Sequence, residues 1–191
     1  RGTISIHGKQ VSLRSPGDAL NLGIGMIYQH FKLVKPFTVA ENIVLGMEQV
    51  KVLKTRELEK QVKELSEEYK IKINPSSAIW QLSIGEQQRV EILKILYRKA
   101  DILILDEPTA VLTPDEVKEL FGTLKNMAER GCAIIFITHK MNEVMEYADR
   151  ITVLRDGRLV KAVKKEETTE TELAQLMVGR EISMGRRNTK N

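Results

Sequence analysis

Cysteine and long apolar runs are both scarce in this 191-residue sequence. The single cysteine, Cys132, cannot form an internal disulfide, and its apolar neighbours predict that it enters a buried strand. We therefore expect a reducing, cytosolic compartment and no catalytic thiol. No apolar run approaches the roughly 18 residues that span a bilayer, and the first residues do not resemble a signal peptide. Any association with a membrane is expected to go through a partner.

The composition is typical of a folded domain rather than a disordered chain. Hydrophobic residues make up 42% of the sequence and charged residues 29%. The length suits one domain with its own core. The net charge of the chain is +4, and apart from a basic cluster near the end its lysines and arginines are scattered along the sequence. Scattered charges of this kind favour a solvated surface. We expect no nucleic-acid partner.

Predicted strands and helices alternate along the chain. Residues 102–105 are apolar on both faces, as in the central strands of parallel sheets, and residues 24–28 and 133–137 are further apolar strands. Thr113 and Pro114, followed by Glu116, form a strong helix start. Asp156-Gly157 predicts a hairpin near the C-terminal end. The pattern indicates an α/β fold with a mostly parallel core sheet, buried on both faces, and a C-terminal β-hairpin.

Residues 37–98 are predicted to be mostly helical. Leu58, Val62, Leu65 and Tyr69 recur at helical spacing among many charges. A second helix is expected over about 85–98. Its apolar face includes Val90, Leu93 and Leu96. This region is therefore expected to form a helical insert subdomain within the α/β core.

Polar residues follow several of the predicted strands. They are Gln29, Asp106, Glu107 and His139. In proteins with a parallel sheet, ligands bind at the carboxyl ends of the strands, which is where these four residues are predicted to lie. Asp106 suits a carboxylate that holds Mg²⁺, and Glu107 suits a group that orients or deprotonates water. Two other interpretations stay open: acidic residues are common where a strand enters a loop, and a histidine at a strand end is most often structural.

Residues 82–89 place a hydroxyl, a glycine and a helix start together. Ser83 and Gly85 precede or open the predicted helix, whose free N–H groups and dipole favour an anion such as a phosphate. An ordinary serine-capped helix, with Glu86 in its first turn, explains the same pattern.

Four motifs in this order resemble the ATP-binding cassette (ABC) family. IGMIYQH at 24–30 resembles its Q-loop, LSIGEQQRV at 82–90 its signature, ILILDEPT at 102–109 its Walker B strand, and Thr138-His139 its switch histidine. The resemblance covers residues 1–179. It implies a P-loop NTPase-like core from 1–36 and 99–179, a permease-docking and signature insert from 37–98, and a polar basic tail or linker at 180–191.

The resemblance also implies a role for each site residue. Asp106 is the Mg²⁺ carboxylate, Glu107 the catalytic base, Gln29 a sensor of Mg²⁺ and permease, and His139 the γ-phosphate clamp. Ser83, Gly85 and Glu86 would serve ATP held on a facing subunit, and residues 110–113 would be the D-loop. The implied partners are a second ABC ATPase domain, transmembrane permease subunits and, indirectly, a solute-binding protein, at the cytoplasmic face of the membrane.

Two positions depart from the family signature. Ile84 replaces its first glycine and Glu86 its glutamine. A carboxylate at position 86, close to the phosphates of the facing subunit, is expected to slow stimulation in trans. This variant, together with residues 109–116 and 178–182, resembles the ATPases that drive import of simple sugars or nucleosides.

The sequence contains no G-x-x-x-x-G-K-[ST] motif, the loop that cradles nucleotide phosphates. We therefore expect a partial ABC ATPase domain that does not hydrolyse ATP alone. One alternative is a degenerate, non-catalytic partner cassette, against which Glu107 and His139 argue. A second is a soluble ABC ATPase acting on nucleic acid or ribosomes, which the short insert at 37–79 suits less well.

Overall fold

A computed structural model describes residues 2–47 and 55–178. The chain divides into two compact units, Arg1–Ile137 and Thr138–Asn191. Strands of the first unit are β1 (Ile4–Ile6), β2 (Lys9–Val11), β3 (Ile24–Ile27), β4 (Ile102–Asp106) and β5 (Ala133–Ile137). Its helices are α1 (Pro16–Asn21), α2 (Val39–Val44), α3 (Thr55–Glu68), α4 (Ile84–Tyr97) and α5 (Pro114–Glu129).

The core of the first unit is a parallel sheet in the order β3-β4-β5. Its register pairs Ile27 with Leu105, and Leu105 with Phe136. The expected α/β fold with a parallel core sheet is therefore confirmed. β1 and β2 form a separate antiparallel hairpin, and its turn has positive φ angles at His7 and Gly8.

One face of this sheet is covered by α4 and α5. Leu103 and Leu105 are fully buried on it. Phe136 meets Phe121 of α5 edge to face, with ring centroids 5.3 Å apart. Gly25 lets α4 approach closely, because a Cβ at this position would lie 2.3 Å from Cγ2 of Ile95. This face carries the hydrophobic core.

The opposite face is only partly covered within the described residues, which corrects the expectation that the strands are buried on both faces. Ile135 and Ile137 are each 50% exposed, and Met26 is exposed as well. Neither face of β5 is fully buried, since its side chains alternate between exposed and half-buried. Cys132, expected to enter a buried strand, is correspondingly only half-buried.

The helices begin and end close to their predicted positions. In α3 the side chains of Leu58 and Val62 are buried, as the amphipathic pattern predicts. α4 departs from the single apolar face expected for it, because polar Gln88 and Glu91 are buried together with its apolar residues. The helix lies between the sheet, α2 and α3, so it is enclosed on several sides.

The second unit contains α6 (Met141–Tyr147), β6 (Arg150–Arg155), β7 (Arg158–Lys164) and α7 (Glu170–Val178). β6 and β7 form the predicted antiparallel hairpin. Asp156 and Gly157 have φ angles of 51° and 70°, which the type I′ turn of a two-residue hairpin requires at both central positions. The predicted tail at 180–191, together with residues 179–182 of the subclass pattern, lies outside the described residues.

Across residues 2–47 and 55–178, none of the helices combines the length and apolar character needed to cross a bilayer.

Candidate functional site

Gln29, Asp106 and Glu107 lie at one edge of the parallel sheet. Asp106 is the last residue of β4 and is half-buried, whereas Gln29 lies two residues beyond β3 and is exposed. Because Ile27 pairs with Leu105, the two strands reach this edge in step. The fold therefore places Asp106 and the chain position of Gln29 at the carboxyl ends of adjacent strands.

The backbone at Glu107 adopts an unusual left-handed conformation. Its φ is 46°, and its N–H donates to the carbonyl of Ile137 at 2.9 Å. Holding a non-glycine residue in this conformation lowers the stability of the fold by about 1–3 kcal/mol, and residues with such backbone strain cluster at functional sites. Oε2 of Glu107 is buried. The β5 hydrogen bond thus fixes the direction in which the chain leaves β4.

Ser83 is the N-cap of α4 and forms a capping box with Glu86. The N–H of Glu86 donates to Oγ of Ser83 at 3.2 Å, and the N–H of Ser83 donates to Oε2 of Glu86 at 2.8 Å. The ordinary capped-helix interpretation therefore describes the local geometry. A glutamine at position 86 would supply the same acceptor, so the capping box does not account for the departure from the family signature. Ile84 opens the helix with its side chain exposed.

Gly85, the next residue of α4, contacts Glu116 of α5. The Glu116 carboxylate lies against the Cα of Gly85. A Cβ on Gly85 would lie 2.5 Å from Oε1 of that carboxylate. The pKa of Glu116 is lowered, first by the backbone N–H of Thr113, and further by the Thr113 hydroxyl, the Gly85 N–H and the Arg89 charge.

Two buried polar residues of α4 were missed at the sequence level. Nε2 of Gln88 donates to the carbonyl of Pro108 at 2.8 Å, directly after the Asp106-Glu107 pair. Oε1 of Glu91 accepts from the N–H of Lys32 at 2.7 Å, shortly after Gln29. The sequence feature that could have revealed them is a pair of polar residues one helical turn apart among the apolar residues of α4. α4 therefore holds the loops that follow both β3 and β4.

His139 belongs to the second unit and is exposed. It follows β5 by two residues in the chain, and the Oγ1 of neighbouring Thr138 accepts from the N–H of Lys140 at 3.1 Å.

The side-chain oxygen atoms of Asp106 and Gln29 suit a magnesium site that is completed by phosphates and water. Across the described ranges, no three His, Cys, Asp or Glu side chains converge as a metal cage. Mg²⁺ is usually held by one or two carboxylates together with phosphates and water, rather than by a cage made only of protein groups. Asp106, with the Gln29 amide near the same edge, fits that pattern.

A cleft of about 880 Å³ lies elsewhere in the first unit. Its lining includes Ala100 and Asp101, which precede β4, and Cys132, which precedes β5. It is therefore at the amino ends of the strands and contains none of the predicted site residues. Burial raises the pKa of the Cys132 thiol, which keeps it protonated and unreactive.

Comparison with known proteins is consistent with this geometry. The sequence model of a family described as ABC transporter matches residues 1–110. The nucleoside import ATP-binding protein NupA of Lactococcus lactis is 52% identical over 184 residues, which are 95% of this chain and 36% of that protein. The guanosine import ATP-binding protein NupO of Bacillus subtilis is 51% identical, over 96% of this chain and 36% of its own length. The chain thus spans a little over a third of these relatives.

Solved structures have the same fold. The structure of cbiO1 from Clostridium perfringens, part of the ABC transporter complex cbiONQ, is 28% identical with a TM-score of 0.70. The match covers 85% of this chain and 66% of that one. MJ1267, an ATP-binding cassette of an ABC transporter in its ADP conformation, is 21% identical with a TM-score of 0.72, covers 92% and 72% of the two chains, and supports the fold alone.

Proposed function

Because the chain belongs to the ABC transporter family, we propose that it supplies ATP-hydrolysing machinery to an importer of nucleosides or simple sugars. The observation that supports this most strongly is Asp106 and Glu107 at the carboxyl end of the central strand, beside the end of β3 that leads to Gln29. The names of NupA and NupO, which describe nucleoside and guanosine import, support the class of solute.

In this proposal Asp106 and Gln29 hold Mg²⁺ at the edge of the sheet. The bound ion would neutralise and orient the phosphates of ATP. Asp106 suits this role because its position is fixed at the end of a paired strand. Gln29 is neutral and exposed, so burial does not fix the contacts of its side chain. The loop after β3 is the segment through which a permease would be sensed.

Glu107 orients the attacking water and accepts its proton. Its backbone is constrained on two sides, by its own hydrogen bond to Ile137 and by the Gln88 contact to Pro108. A base held in a fixed direction does not need to reorganise as the reaction proceeds. The role proposed for His139, a residue of the second unit, is that of γ-phosphate clamp.

Ser83, Gly85 and Glu86 serve the nucleotide bound on a second ABC ATPase domain. The Ser83 hydroxyl and the Gly85 N–H, at the N-terminus of α4, are donors suited to a phosphate. The proposed assembly contains two such domains and transmembrane permease subunits, with a solute-binding protein acting indirectly. It places the chain at the cytoplasmic face of the membrane, as a peripheral subunit.

The test compares the 191-residue chain with a version extended at its N-terminus by a segment carrying G-x-x-x-x-G-K-[ST]. We expect the original chain to hydrolyse ATP negligibly, because the phosphate cradle is not among its residues. The extended version should bind ATP in calorimetry and turn it over. Glu107→Gln should keep binding but lose about 10²- to 10⁴-fold in kcat, the range for general-base catalysis.

Asp115→Asn is the matched control, since it removes one exposed carboxylate outside the site. Turnover by the original chain that disappears in Glu107→Gln would refute the expectation for the chain alone. Failure of the extended version to bind ATP would favour a degenerate partner cassette. Full activity in Glu107→Gln would reject this residue as the base.

A further inference from the structure

We propose that Glu91 is a positioning residue for the proposed Mg²⁺ site: its buried carboxylate fixes the loop that carries Gln29 to the helix that also holds the Asp106-Glu107 loop. This inference rests on the proposed function, in which Gln29 and Asp106 hold the ion together. Glu91 contacts neither ion nor nucleotide in this role, and it acts only through the backbone of the loop after β3.

The hydrogen bond of Glu91 connects the middle of α4 to the loop after β3. Its Oε1 accepts from the Lys32 N–H at 2.7 Å, and only 6% of the residue is exposed. Burying a carboxylate lowers stability unless hydrogen bonds compensate, so an apolar side chain would pack this part of α4 at a smaller cost in stability. What the carboxylate adds is an acceptor at one fixed place. We therefore assign Glu91 to holding the loop rather than to packing the helix.

Gln29 lies between two fixed points of the backbone. Ile27, the last residue of β3, is held by its pairing with Leu105, and Lys32 is held by Glu91. Only residues 28–31 separate these two points, and even an extended chain advances by about 3.3–3.6 Å per residue. A displacement of Lys32 would consequently be passed on to Gln29 through a few residues of backbone.

The far side of the loop is held by the helical insert as well. Oδ1 of Asn42 in α2 accepts from the Val34 N–H at 2.7 Å, and Nδ2 of Asn42 donates to the Val34 carbonyl at 3.1 Å. Asn42 is fully buried. Two buried side chains of the insert thus hold positions 32 and 34. This part of the loop therefore belongs with α2 and α4, and residues 28–31 join it to the sheet.

Glu91 and Gln88 together relate the two halves of the proposed site. Gln88 precedes Glu91 by one turn of α4, and its Nε2 donates to the Pro108 carbonyl at 2.8 Å. Side chains at this spacing lie on one face of a helix, with Cβ atoms about 5–6 Å apart. One turn of α4 thereby sets the separation between the loop that follows β3 and the loop that follows β4. Loss of the Glu91 acceptor would release the Gln29 half and leave the Asp106 half in place.

Amide hydrogen exchange, followed by NMR in the full 191-residue chain, tests the bond itself. The Lys32 amide should exchange about tenfold faster in Glu91→Ala, because one charge-assisted hydrogen bond is lost. Glu91→Gln keeps a neutral oxygen acceptor and should give an intermediate rate, which decides the test if Glu91→Ala does not fold. Leu93→Ala is the matched control, since it loosens the same helix at a fully buried apolar residue without removing an acceptor. A Lys32 rate that is unchanged in the Glu91 variants would overturn the proposal.

The backbone amide resonance of Gln29 in the same chain tests whether the bond positions this residue. It should shift in Glu91→Ala and return toward its original place in Glu91→Gln, while the Asp106 amide resonance stays in place. Both resonances should stay in place in Leu93→Ala. A Gln29 resonance that is the same in Glu91→Ala as in the original chain would reject the positioning role, even where Lys32 exchanges faster.

The closing experiment measures how ATP turnover by the extended protein described above depends on Mg²⁺. Glu91→Ala should raise the Mg²⁺ concentration for half-maximal turnover about tenfold, the lower end of the range for lost outer-shell contacts of a metal site. Glu91→Gln should lie between Glu91→Ala and the original residue, and Leu93→Ala should leave this concentration unchanged, as a merely structural role of Glu91 would.

An unchanged Mg²⁺ dependence in Glu91→Ala would overturn the role of Glu91 at the Mg²⁺ site. If the extended protein shows no turnover at all, the proposed function fails, while the Gln29 resonance still decides whether Glu91 positions this residue. The two failures are therefore distinguishable.

Discussion

The two faces of the parallel sheet have the same kinds of residue but different surroundings. On one face Ile27, Leu103 and Leu105 are buried under α4 and α5. On the other face Ile135 and Ile137 remain half exposed within the described residues. The comparison shows that an apolar strand pattern identifies side chains suited to burial. What covers them is decided by elements far away in the chain.

The largest difference between the two faces is expected in the free energy of unfolding when one apolar side chain on each face is shortened to alanine. Leu103→Ala should lower the free energy of unfolding by about 3–4 kcal/mol, because Leu103 is fully buried and its loss leaves a cavity. Ile135→Ala should cost less than about 1 kcal/mol, since half of that residue is already exposed. Urea denaturation of both variants gives the comparison directly. Equal losses would mean that the second face is covered in solution.

A smaller loss of stability is expected on the covered face at the point where the backbone of β3 and helix α4 lie close together. Gly25→Ala should destabilise the first unit by about 1–3 kcal/mol, because the added Cβ would meet Ile95 of α4. Gly122→Ala is the control, since Gly122 lies in α5 with nothing within 4 Å of an added Cβ. That substitution should be neutral or stabilising by up to about 1 kcal/mol through helix propensity. Thermal unfolding of the two variants decides the matter, and a neutral Gly25→Ala would show that α4 packs less closely than described.

The smallest effect concerns the helix that covers the face and depends on pH. The pKa of Glu116 is lowered in the folded chain, so its ionised form contributes stability above the ordinary glutamate pKa. That contribution is lost as the pH falls through the lowered value. Glu116→Gln should therefore reduce the acid dependence of the urea midpoint between about pH 6 and about pH 3. Asp115→Asn is the charge-matched control, and identical pH slopes for Glu116→Gln and the original chain would contradict the expectation.

Local patterns predicted most of the elements. The Thr113 capping box, the Asp156-Gly157 turn and the apolar run before Asp106 each depend on residues a few positions apart. The rule that parallel strands end at one edge was also sufficient to group Gln29 with Asp106 and Glu107. The roles of these side chains, and that of His139, stay predictions.

Contacts between distant segments could not be predicted in the same way. The bonds of Gln88 and Glu91 connect positions 20 and 59 residues apart, and the contact of Glu116 with Gly85 joins two helix starts. Each of these residues also has an ordinary local explanation as a helix surface or capping residue. The partly covered face of β5 was missed for the same reason, since alternation within a strand does not reveal which neighbours lie above it.

The in-step pairing of β3, β4 and β5 has a consequence for how this sequence tolerates insertions and deletions. Successive side chains of a strand point to opposite faces, so removing one residue from Ile102–Asp106 would exchange the faces of the residues beyond it. Leu105 would then point toward the partly covered face, and Asp106 would move back from the edge. Changes of length in the β4 strand should consequently be far rarer among descendants of this gene than substitutions at the same positions.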